Sequence, residues 1–307
     1  MPHKLWALEK SGEHMSNRNL QGLDRHGLTL EKRDISPRRD QEKYVFRLSD
    51  GLPISCVLIH DAAPGDPYRH TLSISAQAGC PLGCQFCASG LMGFLRNLSA
   101  AEIVEQYSMV KRASGSPITQ VEIGSMGEPM LNYDAVISAC YLLAEEVRVA
   151  PRQILIATSG LAPEIERFTL EGHPFQLAIS LNATTGDTRS RIMPINRKYP
   201  LATLLHAARE YTRRTQQRIT FKYMLLGGVN DTLADAERLT RLTRDMPCGI
   251  EIFPFVPSSA SLASSPGGDA RSAFRRPTFE RTQAFLASLN EESVDDVFSP
   301  SLQQQKG

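Results

Sequence analysis

The sequence predicts an α/β protein: a partial, open (β/α)6 TIM-like barrel with a small β-hairpin extension on its N-terminal side. Three observations predict it. From residue 71 to about 290, short apolar runs alternate with helical patterns, and repeated βα units imply a parallel sheet. Polar and glycine-rich motifs recur at the C-terminal ends of those runs, where parallel α/β folds carry their active sites. Ahead of the first unit, Asp50-Gly51 sits between two apolar runs, a hairpin signal.

Residues 1–43 are polar and charged with poor periodicity, and read as a loosely ordered arm. Residues 44–48 and 53–59 form the two limbs of the hairpin, within an extension spanning 44–70. The βα core covers 71–290, and 291–307 form a tail. Within the core, strands are expected at 71–75, 119–123, 153–157, 176–180, 219–224 and 249–253, and helices at 133–147, 200–214, 232–243 and 277–289. Ser99-Ala-Ala-Glu102 has the spacing of a capping box, so a helix opens there. Residues 257–277, rich in Ser, Pro and Gly, read as a flexible loop.

The chain has 307 residues, 41% of them hydrophobic and 22% charged, which is ample for a sizeable core. A net charge of +1 gives no global basic field. No run is long and apolar enough for a membrane span, and the N-terminal stretch lacks the apolar centre of a signal peptide. Six cysteines without a secretory signal fit a reducing cytoplasm. Cys56, Cys140 and Cys248 lie in or beside apolar segments and read as inert buried thiols.

The remaining three carry the chemistry. Cys80-Pro-Leu-Gly-Cys84-Gln-Phe-Cys87 places three thiolates on one tight loop directly after a strand. Three ligands are one fewer than a closed four-thiolate iron–sulfur or zinc site takes. A cubane held this way keeps one iron open to a small molecule. Zinc would take a fourth ligand, for which His70 is the nearest candidate. After the next strand comes Gly124-Ser-Met-Gly127-Glu128-Pro129, where glycine lets backbone approach a ligand and Pro129 sets the exit of the loop. Ser180-Leu181-Asn182 ends a later strand, and its polar groups serve either a ligand or local turn bonds.

The C-x3-C-x2-C spacing with Phe86 before the third cysteine resembles the radical S-adenosylmethionine (SAM) superfamily. Gly79–Gly90, Gly93-Phe-Leu-Arg-Asn97, Met126–Tyr133, Thr158-Ser-Gly160, Leu177–Leu181, Met193–Tyr199 and Gly228-Val-Asn-Asp231 resemble, more narrowly, the RlmN/Cfr family of adenosine C2/C8 RNA methyltransferases. The resemblance spans 44–290. It implies a [4Fe-4S] cluster on Cys80, Cys84 and Cys87, and SAM bound by Gly127, Glu128, Ser180, Leu181 and Asn182. It also implies an electron donor such as flavodoxin or ferredoxin, and ribosomal or transfer RNA as substrate.

The family's reaction resembles a two-cysteine relay, and this chain departs from it. Ser73 stands where the resolving cysteine is expected, and no cysteine follows Cys248 in these residues. Serine is a far poorer nucleophile than thiolate near neutral pH, so no catalytic nucleophile is assigned. Asn182, Ala157 and Val256 also differ from the family pattern, and 1–43 stand where the family has a larger helical RNA-binding domain. Methyl transfer to RNA is therefore weighed against a changed, non-methylating reaction on a nucleotide or other small substrate. A third reading is a non-catalytic iron–sulfur relative that binds nucleic acid or a protein. Two arginine groups, Arg209/Arg213/Arg214/Arg218 and Arg271/Arg275/Arg276/Arg281, read as phosphate contacts or as solvated faces.

Overall fold

The computed structural model describes residues 27–60, 69–257, 274–291 and 297–298. Its main sheet has ten strands in the order β1-β2-β3-β4-β7-β8-β9-β10-β11-β12. Six of them form the parallel core in chain order: β4 (His70–Ile74), β7 (Gln120–Ile123), β8 (Ile154–Thr158), β9 (Gln176–Ser180), β10 (Ile219–Leu225) and β11 (Cys248–Pro254). A short β12 (Val297–Phe298) adds in parallel beyond β11. The predicted α/β architecture holds, as an open sheet rather than a closed barrel.

Crossover helices join the strands. α1 (Ala88–Met92) and α2 (Ala100–Ser114) follow β4, and α3 (Tyr133–Glu145) follows β7. α4 (Ala162–Glu171) follows β8, while α5 (Gly186–Ile192) and α6 (Leu201–Thr215) follow β9. α7 (Leu233–Thr243) and α8 (Phe279–Glu291) complete the set. The Ser99 capping box is present: Ser99 Oγ accepts from Glu102 N at 3.2 Å, and Glu102 Oε2 accepts from Ser99 N at 2.8 Å. α4 falls where periodicity alone predicts no element; Pro163 in its first turn and Gly172 at its left-handed C-cap are what delimit it.

The N-terminal side differs from expectation. The loosely ordered arm does not extend to residue 43, because β1 (Thr29–Ile35) pairs antiparallel with β2 (Gln41–Arg47), from Thr29 opposite Arg47 to Ile35 opposite Glu42. Nearly every β1 side chain is exposed, so its charges hide the strand from a search for apolar alternation. Charged edge strands of this kind resist pairing with other chains. β2 and β3 (Pro53–His60) form the expected hairpin, and β3 then pairs antiparallel with β4. A separate two-stranded ribbon, β5 (Gln77–Gly79) with β6 (Phe94–Asn97), frames the cysteine loop.

Alternation along the parallel strands separates two faces. Leu72, Ile74, Val121, Ile123, Ile154, Ile156 and Ile179 are buried in the core with Ile103, Val136, Ile165, Leu204 and Leu239 of the helices. Each such side chain contributes about 1.5–3 kcal/mol. Tyr223 of β10 stacks on Phe285 of α8 at 5.6 Å on this side. The intervening residues, Ser73, Glu122, Ala157, Ser180, Lys222 and Glu251, line cavities on the other face.

Candidate active site

The cysteine loop is set by its neighbours before any cofactor enters. Gly79 has φ +75°, and a Cβ there would lie 1.9 Å from the Gly93 carbonyl, so only glycine lets β5 and β6 meet this closely. Cys80 N donates to Gly93 O at 2.9 Å, Cys87 N to Cys84 O at 3.1 Å, and Gln85 N to Ile192 O at 2.9 Å. Cys84 packs with Ile192, Met193, Leu226 and Phe255. All three thiols line one pocket. Burial pushes Cys80 up to about 11, with Glu128 and Cys87 adding to the rise; Cys84 is pushed higher still. At neutral pH Cys80 and Cys84 become thiolates only with a cation to hold them.

The other three cysteines are buried elsewhere; Cys56 Sγ donates to Gln106 Oε1 at 3.0 Å. His70 opens β4, at the end away from the loop, and its Nδ1 lies 2.9 Å from His60 Nδ1. Among the described residues no group of three or more His, Cys, Asp or Glu side chains is set to hold a single ion.

The glycine loop after β7 forms the pocket's next wall. Gly127 has φ +91°, and a Cβ there would meet Gln77 Cβ at 2.5 Å; its backbone borders the pocket. The Glu128 side chain points the other way. It is fully buried and accepts from Thr158 Oγ1 at 2.6 Å, Ser159 N at 2.7 Å and Met130 N at 3.1 Å. Burial raises its pKa against those three donors. Glu128 thus ties the β7 loop to the β8 loop and does not line the pocket.

Ser180 and Asn182 line the pocket, whereas the Leu181 side chain lies in the core. Asn182 takes φ +56°, a region asparagine tolerates. Its Oδ1 accepts from Met224 N at 2.8 Å, so this amide joins the ends of β9 and β10. Asn230 reinforces that joint, donating from Nδ2 to Asn182 O and Met224 O, each at 2.8 Å.

A residue that the motifs do not flag holds these strand ends together. Arg189 is fully buried, with its guanidinium donating to Leu181 O at 3.0 Å, Ser159 O at 2.6 Å, Ser180 O at 3.2 Å and Asn196 Oδ1 at 3.3 Å. Burial lowers its pKa to about 10, so it stays charged at neutral pH. Its position one turn before Ile192-Met193-Pro194, with Asn196 close behind, is the only sequence signal for it.

The match to the radical SAM superfamily covers residues 74–241, more than half the chain. The dual-specificity RNA methyltransferase RlmN of Geobacter sulfurreducens is 44% identical over 251 residues, 81% of this chain and 67% of that protein. The RlmN of Syntrophobacter fumaroxidans is 39% identical over 272 residues, 86% and 75% of the two chains. This chain belongs to the radical SAM superfamily, within the RlmN-type family. In structure it is similar to a radical SAM methyltransferase from Sphaerobacter thermophilus, with a TM-score of 0.78 at 36% identity over 89% of this chain and 76% of that one.

Radical SAM enzymes use a [4Fe-4S] cluster and SAM, and the pocket's residues fit both. Its donor set is three sulfurs with apolar Phe86 and Met193 alongside. A Cβ at Gly90 would lie 3.1 Å from both Cys84 N and Cys84 O, so any side chain there would crowd the backbone of that cysteine. Opposite the sulfurs stand Gly127, Ser159, Ser180 and Asn182, a polar wall suited to an amino-acid head and a ribose.

Where RlmN-type enzymes are expected to carry a resolving cysteine, Ser73 lies not in this pocket but in a second cavity of about 240 Å³ beside it. Glu122 and Lys222 line both. Lys222 Nζ bonds to the Glu122 carboxylate and lies 3.4 Å from Glu251 Oε2. Burial works against the ammonium, but the two carboxylates outweigh it and raise its pKa above the usual lysine value. Charged residues inside otherwise apolar strands, Gln-Val-Glu-Ile, Ile-Thr-Phe-Lys-Tyr and Ile-Glu-Ile, are the signal that could have found this triad.

The arginine groups divide. Arg213 pairs with Glu210 at 2.7 Å and Arg214 with the same carboxylate at 3.4 Å, while Arg209 reaches Leu242 O and Arg218 reaches Cys248 O. Arg213 and Arg214 thus lie on the solvated, internally paired face of α6, and Arg218 stands beyond the end of that helix. Arg281 bonds Asp231 at 3.1 Å and Arg275 lies against Gly227 and Gly228; Arg271 lies outside the described residues. Among the described residues no helix is long and apolar enough to cross a membrane.

Proposed function

We propose that this chain holds a [4Fe-4S] cluster on Cys80, Cys84 and Cys87, seats SAM against Gly127, Ser180 and Asn182, and cleaves it reductively to modify an RNA base. One observation carries the reading: the three thiols and the polar ends of β7, β8 and β9 line a single pocket. When bound, the cluster supplies the electron that breaks the sulfonium carbon–sulfur bond of SAM and releases a 5′-deoxyadenosyl radical. The chain's own part is placement. Glu128 and Leu181 act as positioning residues, the first by fixing the Thr158-Ser159 turn and the second by offering its carbonyl to Arg189. Buried Arg189 keeps the ends of β8 and β9 at fixed separation, so the SAM-facing groups are ordered before the ligand arrives.

RNA as substrate follows from the relatives named as RNA methyltransferases, and the electron donor is of the flavodoxin or ferredoxin class. Six free cysteines suit the reducing cytoplasm. A second reading, cleavage of SAM without methyl transfer, is favoured by Ser73, since a hydroxyl at the expected thiol position cannot take up the relay.

The test is an anaerobic assay of the reconstituted protein with SAM and a strong reductant, with and without ribosomal RNA. Both 5′-deoxyadenosine and S-adenosylhomocysteine, with a methyl group on RNA, support methylation. 5′-Deoxyadenosine alone supports the second reading. Neither product from a fully loaded protein overturns the radical SAM function.

A further inference from the structure

The joint between β3 and β4 carries a group of side chains that neither the cluster nor the SAM pocket uses. His60 ends β3, His70 opens β4, and the two stand directly opposite in the antiparallel register. Their Nδ1 atoms lie 2.9 Å apart, while their ring centroids are 5.0 Å apart and the ring planes are 77° from parallel. The two nitrogens are thus on the facing sides of their rings. A direct contact of this kind needs one proton on the line between the nitrogens, whichever ring supplies it. A metal ion can take the place of that proton, because each ring then offers it a lone pair. Two nitrogens bound to one ion at about 2.0–2.1 Å stand about 2.9 Å apart at a right angle and about 3.4 Å apart at the tetrahedral angle. The observed spacing meets the first value and needs an opening of about 0.5 Å to meet the second.

The far side of His60 is prepared as well. Its Nε2 lies 3.0 Å from Oε1 of the buried Glu42. Burial works to raise the Glu42 pKa, but its bonds from Tyr44, His60 and Arg33 prevail and lower it. An ionised carboxylate only accepts, so Nε2 carries the proton of that contact in either charge state of the ring, and Nδ1 is the nitrogen left to face His70. Arg33 Nη2 pairs with Glu42 Oε2 at 2.7 Å and holds the carboxylate in place. A carboxylate behind a metal-binding imidazole orients the ring and raises its basicity. Both rings are part-exposed, so an ion has access from solvent.

We propose that His60 and His70 form a two-nitrogen chelate for a divalent transition-metal ion of the zinc class, with Glu42 bracing His60 from behind. Imidazole suits such ions, whereas magnesium and calcium take oxygen ligands. The ion joins the N-terminal extension to the parallel core, at the end of β4 away from the cysteine loop. No third His, Cys, Asp or Glu among the described residues completes the set, so its other positions go to water or an exchangeable ligand. The link therefore responds to metal supply. It does not rest on the radical SAM reading.

The test is an anaerobic calorimetric titration of Zn²⁺ into the cluster-reconstituted protein, with iron content measured before and after to expose any exchange at the cysteine loop. Zinc is expected to bind with iron content unchanged. The melting temperature is expected to rise with zinc concentration, since an ion that binds only the folded chain stabilises it. His60→Gln and His70→Gln are each expected to weaken zinc at least about tenfold, because one nitrogen no longer holds the ion for the other. Glu42→Gln keeps the shape of the brace without its charge, and is expected to weaken zinc about tenfold. Where a variant melts lower without zinc, the size of its zinc-dependent rise still reads the site. Mg²⁺ at the same concentrations is expected to give no rise. Zinc uptake matched by iron loss, no zinc uptake, an unchanged zinc affinity in any of the three variants, or an equal rise with Mg²⁺ overturns the proposal.

Discussion

Lys222 of β10 reaches Glu122 of β7, 100 positions earlier in the chain and three strands away in the sheet. On a flat sheet those strands would stand about 14 Å apart. The contact therefore records how far the open sheet curls, and it places a cation where two cavities share a wall. Removing that cation strands two carboxylates. Lys222→Met is expected to lower stability by about 3–5 kcal/mol, and adding Glu122→Gln to recover part of the loss. Urea unfolding of the two variants checks this; equal midpoints for Lys222→Met and the unmodified protein would count against a coupled triad.

The same lysine gives a pH signature. Its pKa is raised in the folded state, so its stabilising contribution is fully present below the ordinary lysine value of about 10.4 and is lost as pH rises through the folded value. Unfolding free energy should fall at the alkaline end more steeply in the unmodified protein than in Lys222→Met/Glu122→Gln. Parallel slopes would deny the linkage.

Gly127 and Gly172 both have positive φ but differ in what surrounds them. Gly172→Ala meets nothing within 4 Å and is expected to cost about 1 kcal/mol from backbone strain alone. Gly127→Ala drives a methyl into Gln77, so a larger cost is expected, together with loss of SAM binding measured by calorimetry. Similar behaviour of the two variants would remove the close approach at Gly127 from the account.

Arg189→Lys keeps the charge but not the fork that serves three carbonyls and Asn196 at once. Weaker SAM binding is expected, with iron content unchanged because none of the guanidinium's hydrogen bonds goes to the cysteine loop. Iron loss in this variant would place Arg189 in the cluster's support rather than in the strand-end clamp.

Alanine at Cys80, Cys84 or Cys87 is expected to abolish a full iron and sulfide complement. Cys140→Ala, in a buried thiol away from the pocket, should keep it. Iron analysis after anaerobic reconstitution decides the matter.

Much of this arrangement is legible in the residues themselves. The cysteine spacing, the Asp50-Gly51 turn, the Ser99 capping box and six apolar runs specify the parallel core because each has a local physical cause. β1 was hidden because an edge strand can be polar on both faces, and its pairing depends on β2. Glu128 is legible as part of a motif but not in the direction of its side chain, which is decided by Thr158 and Ser159 thirty positions on. Glu122, Lys222 and Glu251 are ordinary charged residues one at a time. Only the curl of the sheet makes them a group.

The bond from Gln85 N to Ile192 O has a consequence for biosynthesis. Cys84 is seated by Ile192, Met193, Leu226 and Phe255, all of which leave the ribosome long after the cysteines have emerged. Until β11 is made, the three thiols sit on a loop with half its walls absent. The seat of the three thiols is thus complete only once the chain has been made through Phe255.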